Sequence, residues 1–203
     1  MPRVTGLPPP CFAATMAEIV TIFPVELVPS RALDRSEFQA VTDLDVRLAR
    51  PEDLAPSIDV LIGVSEEPGS LVGRVERSRR DSLVEELHRW LAEGTNAIFV
   101  ATLDGDVVGS LHVIVEDGMG EVRMNVRADQ RGRGGGTRLL AAADDWARSR
   151  GLRRLWLKVL APNTRAIALY ERAGFAREGL LRQHTRDRVT GEIFDTVYMG
   201  KLF

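Results

Sequence analysis

The sequence predicts an α+β fold, a sheet assembled partly from hairpins with helices packed against it. Three observations lead there. Short apolar runs rich in β-branched residues are joined by tight-turn signals, Asp104-Gly105-Asp106 and Asp117-Gly118. Other stretches repeat their apolar residues at helical spacing, as Leu139, Leu140, Ala143, Trp146 and Ala147 do. Strands, helices and hairpins follow one another without an internal repeat.

Bulk properties narrow the function. At 203 residues the chain is long enough for one domain with a sizeable core, and 44% hydrophobic with 28% charged residues is a globular composition. A formal net charge of −2 argues against a nucleic-acid binder that relies on bulk positive potential. The single cysteine, Cys11, forms no intramolecular disulfide and excludes a cysteine-rich zinc site, which suits a reducing, cytoplasmic setting. His88, His112 and His184 are spaced without the pattern of a metal cluster, so no metal is expected.

Residues 1–45 read as a proline-rich extension, holding six of the ten prolines and no sustained helical period. The apolar run Ile19 to Val28 is broken by Pro24 and Glu26 and lacks a basic flank, so neither a signal peptide nor a membrane span is expected. Its alternative reading is a strand added to a sheet edge or a partner. The domain proper is expected over residues 46–203. Val46 to Ala49 reads as a first strand, and Pro51, Glu52 and Asp53 open a helix with proline early and acids in its first turn. Leu71 to Ala92 reads as a second helix stopped by Gly94; its arginines interleave with acids, which favours a solvated face over a site. Ala97 to Leu103 and Val107 to Val115 make a hairpin, and Glu121 to Val126 the next strand. Leu152 to Leu160 is a further strand, and Gly179 to Asp187 with Glu192 to Leu202 a last hairpin.

Between the strand ending at Val126 and the helix containing Leu139 lies Arg131-Gly132-Arg133-Gly134-Gly135-Gly136-Thr137. Glycines at a strand-to-helix junction leave backbone N–H groups unmasked beside the positive end of a helix, which is an anion site. The nucleotide P-loop pattern fails for want of its Gly-Lys, and the dinucleotide Gly-x-Gly-x-x-Gly fails because Thr137 stands where the third glycine belongs. On this loop alone, a turn without a ligand stays open. Downstream, Asn163 is a helix N-cap after Pro162, Gly174 a helix stop, and the short helix between them carries Leu169-Tyr170 before Gly174-Phe175.

The order Arg/Gln-x-x-Gly-x-Gly/Ala, strand, Asn, then Leu-Tyr-x-x-x-Gly-Phe resembles the GNAT N-acetyltransferase superfamily over roughly residues 46–203. The resemblance implies a mixed, mostly antiparallel central sheet with helices on both faces. It also implies acetyl-CoA as cosubstrate and transfer to a primary amine, small molecule or peptide, in a ternary complex. The pyrophosphate would rest on the amides of Arg131 to Thr137, and the pantetheine arm along the strand edge at Met124, Asn125 and Val126. Asn163, Ala166 and Tyr170 would complete the cofactor site. Tyr170 is the expected acid for the departing sulfur, with a core tyrosine as the alternative. Glu121 is the expected base, with a solvated carboxylate and a water base as the alternatives. His184 and Asp195 either line the acceptor slot or are ordinary polar positions. Acyl transfer to oxygen or a peptide N-terminus would share the cofactor site, and a non-catalytic acyl-CoA-binding sensor or assembly module would need the loop without Tyr170. A homodimer is allowed by the resemblance; nucleic-acid and membrane partners are not indicated.

Overall fold

A computed structural model of the chain describes residues 44–67, 70–187 and 190–203. The readings made for Cys11 and for the apolar run Ile19 to Val28 lie outside the described residues. In chain order the elements are β1 (Asp45–Leu48), α1 (Pro51–Glu66), α2 (Arg80–Glu93), β2 (Ala97–Leu103), β3 (Asp106–Glu116), β4 (Met119–Val126), α3 (Gly135–Ser149), β5 (Arg154–Leu160), α4 (Thr164–Arg172), β6 (Ala176–Arg186) and β7 (Ile193–Leu202). The strands form one seven-stranded sheet in the order β1-β2-β3-β4-β5-β7-β6, antiparallel everywhere except between β4 and β5.

Local chemistry explains the joints. Asp104 and Gly105 have φ of 52° and 88°, and Asp117 and Gly118 49° and 71°; such pairs of left-handed residues match the twist of a two-residue hairpin. Pro51 opens α1, where its missing N–H costs nothing. Asp53 completes that start, accepting from the Arg50 backbone N–H at 2.6 Å and from both terminal nitrogens of Arg47 at 2.5 and 3.0 Å, which ties α1 to β1.

The expected helix from Leu71 to Ala92 is shorter than its apolar spacing suggested. It begins at Arg80, after a single 3₁₀ turn at Arg77–Arg79. Val72 and Val75 still pack on the same core as Leu83 and Leu87, but from an extended segment whose Val75 N–H is bound by Ser65 Oγ at 3.2 Å. Two of the arginines of this region form exposed ion pairs with α1, Arg77 with Glu66 at 2.6 Å and Arg80 with Asp59 at 2.6 Å. Gly94 ends the helix with φ 66°.

Two cores sandwich the sheet. On one face Leu139, Ala143 and Ala147 of α3, all fully buried, pack with Leu111, Val122, Leu157 and Met199. On the other, Leu54, Ile58 and Leu87 of α1 and α2 pack with Ile98 and Val100. Truncating a buried leucine of this kind costs about 2–5 kcal/mol. The two cores meet the sheet on alternate residues, as the two-residue period of a strand requires. On β4, Val122, Met124 and Val126 turn toward α3, and Glu121, Arg123 and Asn125 take the opposite parity.

The parallel pair at the centre is incomplete. β4 and β5 are in register only at Met119–Arg154, Gly120–Leu155 and Glu121–Trp156. Beyond these, β4 continues to Val126 and β5 to Leu160 without pairing to each other. β3 still holds β4 along its full length, and β7 holds β5. The strands therefore part, and the free edge of β4 from Val122 to Val126 presents every other N–H and C=O to the gap.

Candidate active site

The gap opens toward the glycine loop. After Val126 the chain makes one 3₁₀ turn at Ala128–Gln130 and enters α3 through Gly132 and Gly134, whose φ values of 83° and 87° are left-handed. Gly134 is the N-cap of α3 and supplies no side-chain cap. The first intrahelical bond is from Arg138 N–H to Gly134 O at 3.0 Å, so the amides of Gly135, Gly136 and Thr137 have no partner within the helix. Three such donors at the positive end of a 15-residue helix form an anion seat.

The arginines of the loop divide in their use. Arg131 folds back, its Nε donating to Val126 O at 2.9 Å and its guanidinium pairing with Glu67 at 2.7 Å, so its side chain braces the loop. Arg133 is exposed and has no partner among the described residues. Arg165, which the sequence reading passed over, places Nη2 3.4 Å from where a Cβ on Gly132 would sit, adding a second cation beside the seat. No local motif announced it, because α4 reaches the loop only through folding.

α4 is docked against the same loop. A Cβ on Gly136 would lie 3.1 Å from Leu169 Cδ2 and 3.5 Å from Met124 Cε, so Gly136 is the point where loop, α4 and β4 come closest. Asn163 caps α4, its Oδ1 accepting from the Ala166 N–H at 3.2 Å. Tyr170 lies in the α3-side core, 7% exposed, with its ring edge-on to Phe175 at 6.0 Å. Burial pushes its phenol up to about 12, so the hydroxyl stays protonated across the physiological range. That hydroxyl has no hydrogen-bond partner among the described residues.

Glu121 is on the other side of the sheet. It sits at the last paired position before the gap, with Arg123 at 2.9 Å and Lys158 at 3.7 Å from its carboxylate. Beside it on β3 and β4 are His112, Ser110 and Asn125, all buried. Asn125 donates to Ser110 Oγ at 3.1 Å, leaving its Oδ1 unpaired, and His112 Nε2 is unpaired too. Burial, with Arg123 nearby, holds the His112 imidazole down to about 4, so it is neutral. Its ring meets the edge of Trp90 at 6.0 Å.

Tyr170 and Glu121 thus lie on opposite faces of the sheet, Tyr170 in the α3-side core and Glu121 at the last paired position before the gap. His184 and Asp195 come together on the final hairpin: Asp195 accepts from Gln183 N–H at 2.7 Å, and His184 meets the edge of Tyr198 at 6.4 Å. The sequence reading did not single out Trp156, Lys158 or Tyr198. The alternation of Arg154, Trp156 and Lys158 on β5 was the signal that all three share one face.

The protein family described as Acetyltransferase (GNAT) family matches residues 65–175. The IAA acetyltransferase of Azospirillum brasilense is 34% identical over 128 residues, 62% of this chain and 82% of that protein. Among solved structures, an acetyltransferase of the GNAT family from Streptococcus pneumoniae is 25% identical with a TM-score of 0.68, covering 79% of this chain and 100% of that one. A phosphinothricin acetyltransferase of the GNAT superfamily from Sinorhizobium meliloti, solved with AcCoA, shares the fold at 18% identity and a TM-score of 0.70, over 79% of this chain and 88% of its own.

Proposed function

The chain belongs to the GNAT acetyltransferase family, and from that premise we propose that it moves an acetyl group from acetyl-CoA directly to a primary amine in a ternary complex. The single observation that supports the reading is the parting of β4 and β5, with Glu121 at their last paired position and the uncapped start of α3 following β4, while Tyr170 lies in the core on the other face. The pyrophosphate rests on the amides of Gly135 to Thr137 with Arg133 and Arg165 alongside, and the pantetheine arm lies along the free edge of β4. An edge N–H aimed at the thioester oxygen stabilises the charge that develops there. The amine attacks from the Glu121 side, giving up a proton to that carboxylate directly or through water. Sulfur leaves on the other face and takes a proton from Tyr170. Each proton then has an owner on the side where it is needed.

With one cysteine and a cosubstrate used in metabolism, we place the enzyme in the cytoplasm. The test is direct: purified protein with acetyl-CoA and a panel of amines, reading CoA release and acetylated product. Transfer to at least one amine class is the expected result. Tight acetyl-CoA binding with no transfer to any amine would make the chain an acyl-CoA-binding module instead.

A further inference from the structure

The face of the sheet on which Glu121 stands is only partly covered. α1 and α2 pack principally over β2, β3 and β4, and the part formed by β5 and β7 carries Trp156, Lys158 and Tyr198. Trp156 and Tyr198 are stacked, centroids 5.9 Å apart and planes 11° from parallel, with Lys158 Nζ 5.4 and 5.9 Å from the two ring centres. The neighbouring edge strand is shaped to close this corner. β6 slips register between Leu181 and Thr185, Gln183 takes a φ of 51°, and Asp195 holds its N–H, so that His184 stands against the edge of Tyr198.

The charges here have a pattern. Glu121 shares its carboxylate between Arg123 and Lys158, which leaves one positive charge in excess on side chains 60% and 39% exposed. A carboxylate beside two cations at the end of a stacked aromatic pair is complementary to a group with an amine, a carboxylate and an apolar or flat side chain on one carbon. Taking the transferase reading as its basis, we propose that the acceptor is a free α-amino acid with an apolar or aromatic side chain. Its ammonium faces Glu121, its carboxylate is held by Lys158 and Arg123, and its side chain lies on the Trp156–Tyr198 stack. Its nitrogen bonds to the thioester carbon as the C–S bond breaks. An ammonium and a thioester become an amide, a thiol and one proton released to solvent. Polyamines and aminoglycosides bring further ammonium groups to a corner that already holds two cations, so they are disfavoured.

Steady-state transfer by the full chain tests this, with phenylalanine, tryptophan and leucine compared against their decarboxylated amines, a peptide amide and spermidine. Expected is a kcat/KM at least about tenfold higher for the amino acids, the size of one charge-assisted hydrogen bond. Lys158→Gln should bring the ratio of phenylalanine to phenethylamine close to one, and Lys158→Arg should restore it, with acetyl-CoA affinity by calorimetry unchanged in both. A wild-type enzyme that prefers the decarboxylated amine, the peptide amide or spermidine overturns the assignment while leaving the transferase reading intact. So does a Lys158→Gln enzyme that keeps the wild-type ratio. Transfer to none of these amines or to any other, with acetyl-CoA still bound, overturns both.

Discussion

Glu121 and Lys158 meet 3.7 Å apart across the point where β4 and β5 stop pairing. Their ion pair bridges the two strands at the inner end of the gap, where the ladder hydrogen bonds end. In the proposed reaction this carboxylate takes the proton of the attacking amine. Glu121→Gln keeps the shape and removes the proton acceptor, so kcat should fall on the order of 10² with acetyl-CoA affinity unchanged. A rate close to wild type would assign the proton to water alone.

Tyr170 is buried on the opposite face, its hydroxyl without a hydrogen-bond partner among the described residues. Tyr170→Phe retains the ring packing on Phe175 and deletes the proton, so kcat should drop on the order of 10² with little change in acetyl-CoA affinity. Because the phenol is pushed up to about 12, its own ionisation should not appear in a pH–rate profile between pH 6 and 10. Single-turnover measurements of Tyr170→Phe check the role; a normal chemical rate there would reduce Tyr170 to a wall of the cofactor channel.

Gly134 combines a left-handed φ of 87° with open space around its missing side chain. Asp adopts that conformation more readily than most residues, and its carboxylate would face the anion seat. Gly134→Asp should therefore fold yet bind acetyl-CoA at least about tenfold more weakly, the scale of placing one like charge against a phosphate. Calorimetric titration with CoA reads this directly. Gly136 is the poorer choice of test, since a side chain there presses on Leu169 and Met124.

His112 gives the fold an acid sensitivity. In the folded protein its imidazole is held down to about 4, against an unfolded value near 6.5. Between those limits the unfolded chain binds more protons, so this contribution is complete above pH 6.5 and is lost as pH falls toward 4, by roughly 3 kcal/mol at the end. His112→Leu should flatten that part of the profile in urea denaturation measured from pH 7 to 4. An unchanged slope would mean that His112 is not the source of the acid sensitivity.

Leu44 packs with the domain, two residues upstream of the start expected at residue 46. It is buried at 6% exposure, and its carbonyl accepts from Arg138 of α3. Deleting residues 2–43 while keeping Leu44 should leave a folded protein with unaltered acetyl-CoA affinity, read by thermal melting and calorimetry. Deleting one residue further should lower the melting temperature by several degrees, as removing a buried leucine does. A loss of folding on the shorter deletion would assign the extension a part in the core.

Residue order alone was sufficient wherever the controlling physics is local. Turn pairs such as Asp104-Gly105 need left-handed residues, Asn163 needs only an amide three residues on, and the glycines before α3 need only a helix behind them, so hairpins, cap and the start of α3 were readable as letters. The start of α2 was not. Val75 has the right spacing for a helix, but spacing reports which residues seek the core and not whether they reach it from a helix or from an extended segment bound to Ser65. Nor could the sequence show that Glu121 and Tyr170 lie on opposite faces of the sheet, or that Glu121, Lys158, Trp156 and Tyr198 share a corner. Those relations depend on where β4 and β5 part and on β7 inserting between β5 and β6. Such non-local pairings are set by the packing of two cores against one sheet, a free energy summed over the whole domain and carried by no single stretch of chain.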